Sequence, residues 1–288
     1  MAVVLEPRLR AAAAFVPKGA SLGDIGTDHA YLPIALCEAG GISGAVAVDV
    51  HEGPYRSAVA AVKSRGLENV IDVRFGDGLA PLRPGEVDTL TLTGMGGRTM
   101  LEILSARPDV LESVKVLILQ PQNTEAALRL TLLNRGWRLK AEKLVQEDER
   151  IYVIMVFVKD GGWDREQLNT LVERWGERMS FLRGKKTAPD KGRQKDELQK
   201  DELQKDVPQQ GVPQQDGFRQ AVQKLVWHFG PLILEEYPAL LLKAIDDYVK
   251  KLEIQREQMK KSKNIEILAK LRVLSEELAA AEGLRTWQ

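Results

Sequence analysis

Short apolar runs alternate with stretches of helix length over the first 160 residues of this chain, and that alternation leaves few folds open. The runs lie at 20–24, 45–50, 71–75, 87–93 and 116–120, and between them 32–39, 54–65, 99–105 and 124–134 are each long enough to cross over a sheet. Strands separated in this way predict a doubly wound α/β domain, a parallel sheet with helices on both faces. After Gly136-Trp137 the pattern changes, because 138–145 and 151–158 are parted only by Gln146-Glu147-Asp148-Glu149-Arg150. That spacing predicts an antiparallel hairpin closing one edge of the sheet.

Residues 161–187 read as an amphipathic connecting helix, after which the chain turns polar. Gln194-Lys195-Asp196-Glu197-Leu198 recurs at 199–203, and Val207-Pro208-Gln209-Gln210 recurs at 212–215. Repeats of this composition cannot bury a core, so 188–216 is expected to be a duplicated, mobile surface insertion. Within 217–288, Leu and Ile recur at helical spacing over 232–261 and 265–282, at Leu241, Ile245, Leu252, Leu268, Leu271 and Leu274. Two long helices turning near 261–264 would form an antiparallel, coiled-coil-like hairpin.

A hydrophobic fraction of 44% supports a packed core, and no window approaches the roughly 18 apolar residues of a membrane span. A soluble, cytoplasmic protein and a monomer are expected. Cys37 is the single cysteine, so an internal disulfide and any cysteine-cluster metal site are excluded. His29, His51 and His228 are too scattered for a metal site, and no metal is expected. Lys plus Arg and Asp plus Glu number 41 each. Any site for a polyanion must therefore be a local patch.

The first strand runs into Asp24-Ile25-Gly26-Thr27-Asp28-His29. A dinucleotide fingerprint would continue with glycine at 28 and a small residue at 31, whereas the chain supplies Asp28 and Tyr31. A carboxylate here repels a pyrophosphate and attracts the ammonium and sulfonium of S-adenosylmethionine. Asp49 ends the second strand, followed by Val50, where an acid receives ribose hydroxyls. Asp77, in Gly76-Asp77-Gly78, follows the third strand and suits the adenine amino group. Taken singly, Asp28 could cap a helix, Asp49 end a strand and Asp77 sit in a turn. Together they point into the crevice outside the strand carboxyl ends, where such folds bind ligands. The fourth strand ends in Thr93-Gly94-Met95-Gly96-Gly97, whose glycines either let the backbone approach a ligand closely or make a tight turn. The Asn/Asp-Pro-Pro-aromatic motif of many exocyclic-amine methyltransferases is absent at this point. Gln120-Pro121-Gln122-Asn123 after the fifth strand could line a target pocket or simply form a turn capped by Asn123 or Thr124.

With these residues in view the chain resembles the bacterial TrmK family, which methylates N1 of adenine 22 in tRNA. The resemblance rests on Asp24-Ile25-Gly26-Thr27-Asp28-His29-Ala30-Tyr31-Leu32-Pro33, Gly53-Pro54, Gly76-Asp77-Gly78-Leu79, Gly94-Met95-Gly96-Gly97, Leu117-Ile118-Leu119-Gln120-Pro121 and Phe229-Gly230-Pro231. It implies a Rossmann-like class I methyltransferase sheet over 1–160, a C-terminal helical hairpin that helps hold tRNA, and this target atom. The expected cofactor residues are Asp24, Gly26, Thr27, Asp28, Asp49, Val50, Asp77, Gly78, Gly94, Met95 and Gly96. Asp28, His29 and Tyr31 are the expected catalytic group, with Met95 positioning the base. Adenine N1 carries a free lone pair at neutral pH, so positioning can supply most of the catalysis. A carboxylate beside the ring would stabilise the positive charge that develops.

A tRNA must be held by its phosphates. Arg8, Arg10 and Lys18 are candidates, as are Lys243, Lys250, Lys251, Lys260, Lys261 and Lys263, although the interspersed Asp246, Glu253 and Glu257 also suit an ordinary solvated helix face. The rival functions are a methyltransferase acting on a protein or small molecule, and a non-catalytic interaction module with a vestigial cofactor pocket.

Overall fold

The computed structural model describes residues 3–187, 214–260 and 265–287. The repeats at 194–203 and the turn at 261–264 lie outside the described residues. The chain divides into two compact units, Met1–Asn169 with Trp227–Ala244, and Thr170–Val226 with Ile245–Gln288.

In the first unit the elements run α1 (Pro7–Ala13), β1 (Ala20–Ile25), α2 (Tyr31–Glu38), β2 (Ile42–Asp49), α3 (Glu52–Ser64), β3 (Ile71–Phe75), β4 (Thr89–Met95), α4 (Gly97–Ala106), α5 (Pro108–Ser113), β5 (Val116–Pro121), α6 (Glu125–Asn134), β6 (Arg138–Glu147) and β7 (Arg150–Val158). The seven strands are ordered β3-β2-β1-β4-β5-β7-β6. The first five are parallel, and β7 runs antiparallel to both β5 and β6. The Rossmann-like sheet and its antiparallel edge hairpin are thus both present. Central strands are buried on both faces and read as largely apolar runs, as in Val116–Leu119 of β5. At the edge, β6 mixes buried Leu139, Glu142 and Val145 with exposed Lys140, Lys143 and Gln146. Strand order reverses between β1 and β4, which opens a crevice at their carboxyl ends.

Two helices escaped the periodicity. One is α5, and the other is α1, with Pro at the start of its first turn. Ala11 and Ala12 of α1 pack on Ile118, Val145, Ile154 and Val156, so α1 lies across β5, β7 and β6. That contact later explains where Arg8 goes.

The C-terminal region holds α7 (Arg165–Thr187), α8 (Gln214–Phe229), α9 (Pro231–Glu236), α10 (Ala239–Lys260) and α11 (Ile265–Arg285). The single helix expected over 232–261 is broken: Tyr237 takes φ +46°, and Pro238 cannot continue a helix. The helix α8, omitted from the two-helix expectation, buries Phe218, Val222, Leu225 and Val226 on one stripe. Trp227–Ala244, assigned by periodicity to the hairpin region, packs with the first unit. In the second unit α10 and α11 run antiparallel, with Tyr248 donating to Glu277 and Asp246 3.5 Å from Arg285. Glu277 also accepts a hydrogen bond from Lys224 at 2.6 Å, tying α8 to the pair. No helix among the described residues is long and apolar enough to cross a membrane.

Candidate active site

The loop after β1 is the most constrained part of the crevice. Gly26, Asp28 and Ala30 take φ values of +74°, +54° and +55°. A left-handed conformation costs a residue with a side chain roughly 1–2 kcal/mol, so the surroundings must hold this loop in place. The amides of Gly26 and Thr27 donate to the Val48 carbonyl at 2.9 and 3.0 Å. The Asp28 amide donates to Asp49 Oδ2 at 3.1 Å, and Ala30 is fully buried. Three polar side chains are thereby presented outward. The Asp28 and His29 side chains are 69% and 44% exposed, and Tyr31 is 46% exposed. The rings of His29 and Tyr31 stack with centroids 5.1 Å apart and planes 17° from parallel. His29 Nε2 lies 3.6 Å from Asp28 Oδ1.

Asp24 and Thr27, by contrast, are enclosed. Asp24 is buried and accepts hydrogen bonds from the hydroxyls of Thr27 at 2.7 Å and Thr91 at 2.6 Å. Burial raises its carboxyl pKa above the ordinary value, a shift that the two hydroxyls oppose. The Thr91 bond ties Asp24 of β1 to β4, and the Thr27 bond closes the start of the β1 loop onto the same carboxylate.

Asp49 ends β2 with one oxygen on the Asp28 amide and the other on the His51 amide at 2.9 Å. A carboxylate offers about four acceptor sites, so hydroxyl donors can still be received. Val50 beside it is exposed. Asp77 is exposed beyond β3, and Gly78 takes φ +51° with its missing Cβ only 3.0 Å from Ile103 of α4. An exposed aromatic that sequence analysis missed, Phe75, pairs in register with Asp49 and meets Tyr55 edge-on at 5.6 Å. As the last residue of β3 it was passed over as part of the strand. Its position just before Gly76-Asp77-Gly78 was the available signal.

The turn after β4 comes back against the β1 loop. The Met95 methyl lies 2.9 Å from where a Cβ on Gly26 would stand. Gly94 takes φ +76° and its amide donates to Gln120 Oε1 at 3.0 Å. At Gly96 and Gly97 the close approach is to the protein's own chain: their missing Cβ atoms would stand 3.2 Å from Asn123 Oδ1 and 2.7 Å from Thr124 Oγ1. Gln120 is fully buried, and Thr124 starts α6 at φ +55° without a side-chain cap.

Several cations considered for phosphate contacts are already engaged. Arg8 pairs with Glu147 at 3.4 Å and donates to Gln120 at 2.7 Å. Lys243 donates to the Glu149 carbonyl at 3.3 Å, Lys250 stands 3.7 Å from Asp247, and Lys260 stands 2.8 Å from Glu257. Arg10, Lys18 and Lys251 are exposed, while Lys261 and Lys263 lie outside the described residues. No His, Cys, Asp and Glu cluster that could hold a metal occurs among the described residues.

Residues 5–155 match the family model described as a methyltransferase domain. This chain belongs to that family. The methyltransferase domain therefore coincides with the sheet and its three carboxylate-bearing loops. A tRNA (adenine(22)-N(1))-methyltransferase of Bacillus subtilis is 40% identical over 152 residues, covering 53% of this chain and 64% of that relative. The chain thus spans just under two thirds of the length of the curated relatives it matches. The crystal structure of the B. subtilis m1A22 tRNA methyltransferase TrmK superposes with a TM-score of 0.73 at 26% identity, covering 98% of this chain and 99% of that one. A Streptococcus pneumoniae protein solved in complex with S-adenosyl-L-methionine gives a TM-score of 0.67 at 29% identity, covering 96% and 98%.

Proposed function

We propose that this methyltransferase-domain protein uses S-adenosylmethionine to methylate N1 of adenine 22 in tRNA. One observation carries the cofactor: Asp28, Asp49 and Asp77 follow three neighbouring parallel strands at the same end of the sheet. Carboxylates accept hydrogen bonds and attract cations, which suits a sulfonium ligand with ribose hydroxyls and an adenine amine and disfavours a pyrophosphate. Asp49 receives the ribose hydroxyls, Asp77 the adenine amine, and Val50 with Phe75 flanks the adenine ring. Gly26, Gly78, Gly94 and Gly96 shape the loops around it.

When bound, the cofactor supplies an electrophilic methyl group. The work of the chain is then to hold adenine N1 in line with that group. The free ring face of the His29–Tyr31 stack receives the target base, Met95 limits its travel, and the Asp28 carboxylate stabilises the positive ring. Support for the RNA target comes from the B. subtilis relatives, whose names specify it. Arg10, Lys18 and Lys251 are the exposed cations available to its phosphates, and the work of such an enzyme lies in the cytoplasm, as a monomer.

Purified protein incubated with methyl-labelled cofactor and bulk tRNA is expected to yield N1-methyladenosine mapping to position 22. Label on protein or on small molecules instead would overturn the target. Calorimetry showing no binding of S-adenosylmethionine would overturn the whole assignment and revive the interaction module.

A further inference from the structure

We infer that Arg8 is a positioning residue for methyl transfer, acting through Gln120 to hold the Gly94–Met95 turn against the β1 loop. The inference rests on the methyltransferase function above and extends it to side chains outside the cofactor loops.

The contacts form an unbroken series. Glu147 on β6 anchors Arg8, its Oε2 accepting the Arg8 amide at 2.9 Å and its Oε1 accepting Nε at 3.4 Å. Arg8 Nη1 donates to Gln120 Oε1 at 2.7 Å, and the same oxygen accepts the Gly94 amide at 3.0 Å. Gln120 Nε2 donates to the Pro121 carbonyl at 2.8 Å, so the orientation of this buried amide is set at both ends.

Gly94 needs such a partner. The β4–β5 register pairs Thr93 with Gln120 and Met95 with Pro121, leaving Gly94 as the extra residue of a bulge. A bulged residue loses its ladder partner, and a part-buried amide left without one is destabilising. Gln120 fills that place, and Arg8 fixes Gln120. One residue further on, the Met95 methyl abuts Gly26. A shift of the Gly94 turn therefore moves Met95 relative to the loop that carries Asp28, His29 and Tyr31.

Arginine suits this task because its planar fork reaches Glu147 and Gln120 in two fixed directions, which a lysine ammonium cannot do. A phosphate contact is the competing role for Arg8, and the two differ in what they change. Loss of a phosphate contact weakens RNA binding and makes its salt dependence shallower. Loss of positioning lowers kcat, because misplacement by ~1 Å costs about 100-fold.

The test combines kinetics with NMR of [methyl-13C]methionine-labelled protein. In Arg8→Ala, kcat on tRNA is expected to fall roughly 10- to 100-fold, with tRNA KM and the salt slope of tRNA binding unchanged. Arg8→Lys is expected to recover little of that loss, and Arg8→Ala/Gln120→Ala to be no slower than the slower single variant. The Met95 methyl resonance is expected to move in Arg8→Ala while that of Met179, in the second unit, stays in place. Wild-type kcat, an additive double variant, or a tRNA affinity loss with a shallower salt slope would each overturn the inference. A stationary Met95 signal in folded protein would do so as well. Wild-type protein inactive on tRNA would count against the proposed function, whereas the Met95 signal reads the Arg8 linkage without any activity.

Discussion

Arg129 of α6 and Glu142 of β6 form an ion pair of 2.6 Å with both side chains fully buried, and together they cap two helices at once. Arg129 donates to the carbonyls of Trp227 and His228 at 2.8 and 3.0 Å and of Phe229 at 3.4 Å, in the last turn of α8. Glu142 accepts the amide of Leu232 at 3.1 Å, at the start of α9. These are the helix-end groups that intrahelical bonds leave unpaired, and the charges have the sign that each helix end favours.

Arg129→Ala is therefore expected to destabilise the fold by about 3–5 kcal/mol, because Glu142 would be left buried without its cation. Replacing both partners, as in Arg129→Met/Glu142→Leu, should not recover that stability, since the α8 carbonyls and the Leu232 amide would lose these charged partners. Chemical denaturation of the three proteins measures both effects, and a double variant as stable as wild type would refute the capping role.

Gly230 lies between those caps with φ +116°, and its missing Cβ would stand 2.7 Å from both Glu142 oxygens and 2.9 Å from Arg129 Nη2. Gly40 has φ +63° with nothing within 4 Å of its Cβ position. Gly40→Ala is expected to cost roughly 1–2 kcal/mol from backbone strain alone, and Gly230→Ala about 2 kcal/mol more, because the buried pair must also move. Equal losses in thermal unfolding would show that the pair does not dictate glycine at 230.

Asp49→Asn keeps the shape of the side chain but leaves one acceptor oxygen for the Asp28 and His51 amides. The β1 loop then loses a tether and the ribose a carboxylate. Affinity for S-adenosylmethionine is expected to fall roughly 10- to 100-fold, the equivalent of one charged hydrogen bond. Titration calorimetry giving an unchanged Kd would remove Asp49 from the site.

Glu86 predicts part of the acid behaviour. Its hydrogen bonds from Arg74, at 2.8 and 2.5 Å, hold the carboxyl well below its ordinary 4.5, at about 2. With the folded pKa below the unfolded one, the stabilisation is complete above pH 4.5 and is lost as pH falls toward about 2. Stability of Glu86→Gln should accordingly fall less steeply than wild type between those limits, as measured by denaturation at successive pH values.

The strand positions and the edge hairpin were legible because burial on both faces demands apolar runs, and the breaks between them carry turn chemistry. Asp28, Asp49 and Asp77 were legible for a related reason: each follows a strand, and all three strands end on one side. The break at Tyr237-Pro238 was visible as well, and leucine periodicity on either side of it outweighed a proline that should have ended the helix.

Other features were beyond one-dimensional reasoning. Asp24 and Asp28 are four positions apart and alike in chemistry, yet one is enclosed by Thr27 and Thr91 while the other faces solvent. Only the pairing of β1 with β4, 67 residues along the chain, brings Thr91 to Asp24. Arg8 looked like a surface cation until α1 was laid over β5 and β6. That Asn123 and Thr124 crowd the missing Cβ atoms of Gly96 and Gly97 was equally hidden. Local composition decides which segments become strands, helices and turns, because that choice depends on periodicity and on single-residue φ preferences. Which polar groups face the crevice and which brace the sheet depends on partners about 20 to 140 positions away, and those become neighbours only when the strands pair.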